Sequence, residues 1–192
     1  MMPSPDTFPV PLIHINETNS TNNYLQSLCS EQKVEELTVV VADFQTSGRG
    51  QRGNSWESAP GKNLLFSTVI FPEFLEARRQ FLISQIISLA IKEELDTYTT
   101  DISIKWPNDI VINGKKICGI LTEMSAQFDY INHIVIGIGI NVHNESFPEE
   151  LQDHAGSLLL ECGKRVHRAD LIEAFLEEFE RLYAIYLQTE DL

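Results

Sequence analysis

The chain has 192 residues, 43% of them apolar, with 28 acidic against 14 basic side chains and a net charge of −14. That length and apolar share suit one globular domain with a substantial core and exclude wholesale disorder. The acidic balance excludes a general nucleic-acid or anionic-membrane binder, which needs clustered Lys and Arg to neutralise phosphates. Cys29, Cys118 and Cys162 are far apart, with neither CxxC nor zinc spacing, and read as small buried or partly buried residues of a reducing compartment. Met1 to Val10 has no signal-peptide pattern, and no apolar run approaches the roughly 20 residues that span a bilayer. A cytoplasmic protein is expected.

In chain order, Ile13-His14-Ile15 reads as a short first strand. Glu17 to Asn23 is dense in helix-capping residues, and the helix it opens carries Tyr24, Leu25, Leu28 and Cys29 on one side. Thr38 to Phe44 reads as a buried strand. It runs into Phe44-Gln-Thr-Ser-Gly-Arg-Gly-Gln-Arg-Gly-Asn-Ser-Trp56, which packs Gly48, Gly50 and Gly53 with Arg49 and Arg52 into six residues. Glycines free the backbone, and arginines supply planar donors for carboxylates and phosphates. An anion-binding flap fits that composition; so does a solvated loop or a linker.

Asn63 to Phe71 reads as a central strand ended by Pro72, and Leu75 to Leu95 as a long helix with Phe81, Leu82, Ile86, Leu89, Ala90 and Leu95 on its apolar stripe. Asp101 to Lys105 alternates like a strand and stops at Trp106-Pro107-Asn108-Asp109, because Pro107 cannot donate to a ladder. Ile110 to Ile112, Asn113-Gly114 and Lys115 to Glu123 form a hairpin pattern with a tight Asn-Gly turn. Ile134 to Val142 reads as a buried strand whose Gly137 and Gly139 suggest close approach to the backbone. Glu145 to Gly163 reads as loop with a short helix. Asp170-Leu171-Ile172-Glu173 is a capping box opening a last helix, with Leu171, Phe175, Leu176, Phe179, Leu182, Tyr183 and Tyr186 as its core stripe. No repeat or linker divides the chain, and the mixed order of elements indicates an α+β domain: a mixed β-sheet packed with helices.

Four separated segments converge: Ser20-Thr21-Asn22; Gly48-Arg49-Gly50-Gln51-Arg52-Gly53 with Trp56; Lys105-Trp106-Pro107-Asn108-Asp109; and Lys116 to Glu123 followed by Gly137-Ile138-Gly139-Ile140-Asn141. In this order and spacing they resemble the catalytic domain of biotin protein ligases, over about residues 12 to 190. The resemblance implies a class II aminoacyl-tRNA synthetase/biotin ligase-like fold and a biotin–[acetyl-CoA-carboxylase] ligase activity. Biotin's carboxylate would attack the α-phosphate of ATP to give biotinyl-5′-AMP. A lysine of a biotin carboxyl carrier protein would then attack the acyl-adenylate. A carboxylate and a polyphosphate repel, so cations must join them, and a closing flap must exclude water.

The resemblance also implies residue roles. Lys116, Arg49 and Arg52 match catalytic cations. Ser20, Thr21, Gln45, Gly48, Arg49, Gly50, Lys116, Gly119, Leu121, Gly137 and Gly139 match biotin-binding positions. Arg49, Arg52, Trp56, Lys105, Asn108, Asp109 and Asn141 match nucleotide-binding positions, Trp56 closing against adenine and Asn108 and Asp109 facing phosphates and metal. Trp106 and Cys118 are read as packing residues, and Lys115 as a solvated hairpin lysine. ATP and Mg2+ are implied, with biotin as substrate, and no metal-ligand set is discernible. The fourth loop position, often arginine in this family, is Gln51 here, which implies weaker retention of the adenylate.

Residues 1–192 are expected to be a single biotin/lipoate ligase-type domain, with neither an N-terminal helix-turn-helix nor a C-terminal SH3-like barrel. No DNA or membrane partner is expected, and the molecule is expected to be a monomer or a homodimer. The competing readings are a lipoate–protein ligase-like acyltransferase, which should lack the Gly-Arg-Gly-x-Arg-Gly loop, and a binding-only biotin or adenylate sensor, which has no need of Lys116 and Arg49.

Overall fold

The computed structural model describes residue 2 and residues 4–189. The chain opens with β1 (Leu12–Thr18), α1 (Thr21–Glu31) and β2 (Val39–Gln45), in which β2 returns parallel to β1. Ser20 is the N-cap of α1, and its hydroxyl accepts the Asn23 N–H at 3.5 Å, as the run of capping residues leads one to expect. Of the four side chains expected to pack from α1, Leu25 is fully buried and Leu28 and Cys29 are partly so, whereas Tyr24 faces solvent. β3 (Leu64–Ile70) follows antiparallel to β2.

α2 (Gln80–Leu95) starts five residues later than the apolar periodicity suggests. The intervening backbone is taken by a hairpin elsewhere in the sheet: Ile131 N–H donates to Leu75 O and Ala77 N–H to Asp129 O. Leu75 reaches the core from this non-helical segment, and Ala77–Arg79 forms a single 3₁₀ turn. Two short strands, β4 (Ile102–Lys105) and β5 (Asp109–Ile112), lead to the long pair β6 (Lys115–Gln127) and β7 (Tyr130–Ile140). Both Asn113 and Gly114 have positive φ, as the two-residue turn requires. The chain closes with the short α3 (Leu158–Cys162) and α4 (Arg168–Thr189). α4 begins two residues before Asp170, so the expected capping box is displaced; Asp170 is instead an acid within the first turn, where the helix dipole favours it.

Among the described residues seven strands form one sheet, in the order β1-β2-β3-β7-β6-β5-β4, antiparallel except for β1 with β2. The expected α+β architecture is met. One face of the sheet is covered by α2 and α4 and holds the main core, including Phe66, Ile136, Ile138, Ile140, Ile86 and Phe179. Phe66 meets Phe175 of α4 edge-on at 5.7 Å. α1 covers only part of the other face, through Leu25, Val40, Val69 and Val135. The remainder of that face lies beneath the glycine loop.

Candidate active site

Side chains of β7 alternate between the two faces, so Gly137 and Gly139 lie on the face opposite the buried Ile136, Ile138 and Ile140. Register places Gly119 of β6 directly across from Gly139, and Leu121 across from Gly137. These three glycines make a flat floor on which other groups rest. A Cβ at Gly139 would lie 2.6 Å from Trp56 Cε2, and one at Gly119 2.8 Å from Trp56 Cζ3. A Cβ at Gly137 would lie 2.3 Å from Asn22 Oδ1. Above the floor is a hollow of about 410 Å³, within the range of small-molecule sites. Its wall comes from the start of α1, from the glycine loop and from the Trp106–Asp109 turn.

At one end of the hollow is a continuous polar network. Gln45 Oε1 accepts from Thr21 N–H at 2.8 Å and from Thr21 Oγ1 at 3.1 Å. The buried Ser67 hydroxyl lies 2.7 Å from Thr21 Oγ1 and 2.6 Å from Asn22 Oδ1, so its single proton is shared between two acceptors. Asn22 Nδ2 donates to Leu121 O at 3.2 Å and to Glu123 Oε2 at 2.8 Å. The same carboxylate oxygen accepts from Arg49 at 2.5 Å. Ser20, Thr21 and Gln45 therefore gather where sequence reasoning puts a ring-binding pocket. Ser67 joins them unforeseen, as do Asn22 and Glu123, which belong to the quoted segments without a role assigned to them.

The loop from Gly48 to Trp56 is a small hairpin in its own right. Trp56 N–H donates to Gly48 O at 2.9 Å, Gly50 N–H donates to Asn54 O at 2.6 Å, and Arg49 bridges Ser55. Gly48 is required by close approach, since a Cβ there would lie 2.3 Å from Trp56 O. The loop thus carries Arg49, Gln51 and Arg52 to the rim and lays Trp56 inside. Trp56 Nε1 is buried with no hydrogen-bond partner among the described residues. An unpaired buried donor of this kind is costly unless a ligand or a displacement satisfies it.

Lys116 Nζ sits 2.9 Å from Asp109 Oδ1 and 5.6 Å from the centre of the Trp56 ring. Its backbone is fixed from both sides, since Lys116 N–H donates to His154 O at 2.8 Å and Lys116 O accepts from Gly156 N–H at 3.0 Å. Both principal cations are thus held by carboxylates, Lys116 by Asp109 and Arg49 by Glu123. These carboxylates hold the two cations in fixed positions at the edge of the hollow.

Most of the expected residues line the hollow: Ser20, Thr21 and Gln45 on one wall, Arg49, Gly50, Arg52 and Trp56 from the loop, Asn108, Asp109 and Lys116 opposite, and Gly119, Leu121, Gly137 and Gly139 below. Gly48, Lys105 and Asn141 do not line it. Asn108 is committed to structure, its amide donating to Ile120 O. Asn141 is buried just past the end of β7, and its Oδ1 has no partner among the described residues. Near it Asn63 Oδ1 accepts the Val142 N–H at 3.1 Å while its Nδ2 has no partner among the described residues, leaving a buried donor and acceptor just past the β7 end of the floor. Asn63 was not singled out by sequence; its signal is a buried amide at the head of an otherwise apolar strand. Trp106 is corrected outright: it is 72% exposed, on the rim beside Phe81, and not a packing residue. Cys118 is fully buried, as expected, and burial pushes its thiol far above the usual range, so it is inert. Lys115 pairs with Glu161 at 3.6 Å.

Residues 15–141 match the family model described as "Biotin/lipoate A/B protein ligase family". The chain is 40% identical over 180 residues to the "Bifunctional ligase/repressor BirA" of Bacillus subtilis, covering 92% of this chain and 54% of that protein. It is 31% identical over 171 residues to the protein of the same description from Escherichia coli, covering 88% of this chain and 52% of that one. Among solved structures, that of the biotin protein ligase from Aquifex aeolicus in complex with biotin and ATP superimposes with a TM-score of 0.80 and 32% identity, over 95% of this chain and 73% of that one. The expected ligase-like fold is thereby met. The chain spans about half the length of the curated relatives it matches. The family-model match over residues 15–141, with a relative 40% identical over 92% of the chain, places the chain in the biotin/lipoate A/B protein ligase family.

Proposed function

We propose that this domain joins biotin to ATP as biotinyl-5′-AMP and passes the biotinyl group to a lysine of a biotin carboxyl carrier domain. The observation that carries the proposal is the pairing of two positioned cations, Lys116 and Arg49, with a hollow of about 410 Å³ over three glycines, two of which already carry the flat Trp56 ring. The bicyclic ring would lie at the Thr21–Gln45 end, with its carboxylate towards Lys116. Lys116 and Arg49 lower the repulsion between that carboxylate and the α-phosphate and stabilise the charge that develops as pyrophosphate leaves. In the second step the amine attacks the acyl carbon and AMP departs. Arg52, at the rim, would hold phosphate. Asn141 lies outside the hollow and would meet the adenosine past the end of β7; there its Oδ1 and Asn63 Nδ2 are buried and unpaired among the described residues. Lys105 would then act from outside the hollow, steering phosphate by charge.

Among the described residues Asp109 is the sole carboxylate lining the hollow, and no cluster of three metal-ligating side chains is present. Asp109 is the carboxylate that would meet a magnesium ion arriving with ATP, an ion that keeps waters and phosphate oxygens and takes one or two carboxylates. Bound there, it would neutralise the departing pyrophosphate. Free Cys29, Cys118 and Cys162 support a cytoplasmic setting, and the net charge of −14 supports a protein rather than a DNA partner. No helix among the described residues is long and apolar enough to cross a membrane. The same proposal takes the domain to work as a monomer or a homodimer.

The test uses the purified chain with MgATP, biotin and a biotin carboxyl carrier domain, read by intact mass. The proposal expects a biotin-sized gain on the carrier that vanishes with Lys116→Ala. Biotinyl-AMP without transfer would confine the activity to the first half-reaction. Biotin binding with neither product would overturn the enzymatic proposal in favour of a sensor.

A further inference from the structure

Glu123 stands at a junction. Its Oε2 accepts from Arg49 at 2.5 Å and from Asn22 Nδ2 at 2.8 Å. The Asn22 side chain is fixed in turn: Nδ2 also reaches Leu121 O, Oδ1 lies against the buried Ser67 hydroxyl, and the amide lies flat on Gly137, where no Cβ would fit. Ser67 continues the network to Thr21 and Gln45, the ring end of the hollow. An isolated surface ion pair contributes little, because two mobile side chains must be ordered to make it. Here the carboxylate is pre-oriented by a buried amide, and Arg49 belongs to a loop braced by its own internal hydrogen bonds. Fixing Arg49 therefore fixes the whole loop.

We infer that Glu123 is a positioning residue that latches the glycine loop over the hollow through Arg49, with Asn22 linking the latch to the ring pocket. The inference rests on the ligase function proposed above. In that reaction a reactive acyl-adenylate must be kept from water, and loop closure is what keeps it. Glu123 sets the position of closure without touching the reacting atoms. Occupation of the Thr21–Gln45 pocket would be felt by Arg49 through Ser67 and Asn22.

Trypsin reads the latch without reference to activity, since the bonds after Arg49 and Arg52 lie in the loop. With Glu123→Ala these bonds should be cut about fivefold faster, with cleavage elsewhere unchanged, and Glu123→Gln, which keeps an acceptor, should fall between it and the parent. The fraction of biotinyl-AMP released per turnover should rise about fivefold with Glu123→Ala. In an Arg49→Ala background, read at the bond after Arg52 and in adenylate release because the first site is gone, the same substitution should add nothing, since the latch is already open. Equal loop cleavage in all variants, or a Glu123→Ala effect that adds in full to that of Arg49→Ala, would overturn the inference. Should Glu123→Ala fail to fold, Glu123→Gln carries the comparison with an effect of about twofold. If the parent chain makes no biotinyl-AMP the functional proposal falls, whereas the trypsin readout still decides the latch.

Discussion

One strand shows two ways of using the same sheet face. At Val135, β7 presents a fully buried side chain to α1, packed with Leu25, Val40 and Val69. Two and four residues further along, on the same face, it presents Gly137 and Gly139 and leaves a hollow of about 410 Å³. The opposite face does not register the change, since Ile134, Ile136, Ile138 and Ile140 are buried without interruption. The cavity thus comes from withholding side chains on one face of an intact ladder. The apolar contacts that stabilise the fold lie elsewhere, which leaves the hollow free to be polar, charged and partly unsatisfied.

The comparison breaks most sharply at Lys116. Lys116→Ala removes a cation from the hollow and no packing from the core, so biotin-dependent ATP–pyrophosphate exchange should fall about 10³-fold while the melting temperature holds. Leu25→Ala does the converse on the covered half. It should cost about 3 kcal/mol in urea unfolding, while the folded fraction still binds ligand. Gly139→Val sharpens the contrast by giving the open half the side chain the covered half has. It should weaken biotin binding roughly 10- to 100-fold by calorimetry, with an unchanged far-ultraviolet spectrum.

A smaller signal comes from Trp56, whose ring lies against Gly119 and Gly139. The chain has two tryptophans, so Trp106→Phe leaves Trp56 as the sole indole emitter. Biotin should then shift its emission to the red as the ring is pushed off the glycines; a flat titration would place the ligand elsewhere. The smallest effect is expected at the rim. Gln51→Arg adds a charge-assisted contact to phosphate and should slow biotinyl-AMP release about threefold, by rapid dilution and filtration.

What could be read from the chain itself differs between the two halves of that face. The covered half follows from local pattern: Ser20 caps α1, Asn113-Gly114 turns the hairpin, and the apolar runs become buried strands. The start of α2 moved because tertiary pairing claimed the backbone at Leu75, bonded to Ile131, whereas α4 begins two residues early, with Asp170 already inside it. The open half was legible through motifs whose residue types carry chemistry, so Arg49, Lys116 and the three floor glycines were singled out, and all of them line the hollow. The Asn22–Ser67–Glu123 junction was not, because its members are 45 and 101 residues apart and meet only through sheet register. Trp106 failed for a different reason, since hydrophobicity alone does not separate a core aromatic from one exposed at a rim.

The most direct measurement is exchange of radiolabelled pyrophosphate into ATP by the purified chain, with and without biotin. If the open half of the face is an adenylation site, exchange appears only with biotin and disappears with Lys116→Ala. Exchange independent of biotin, or none with biotin bound at saturation, would contradict the assignment of that hollow.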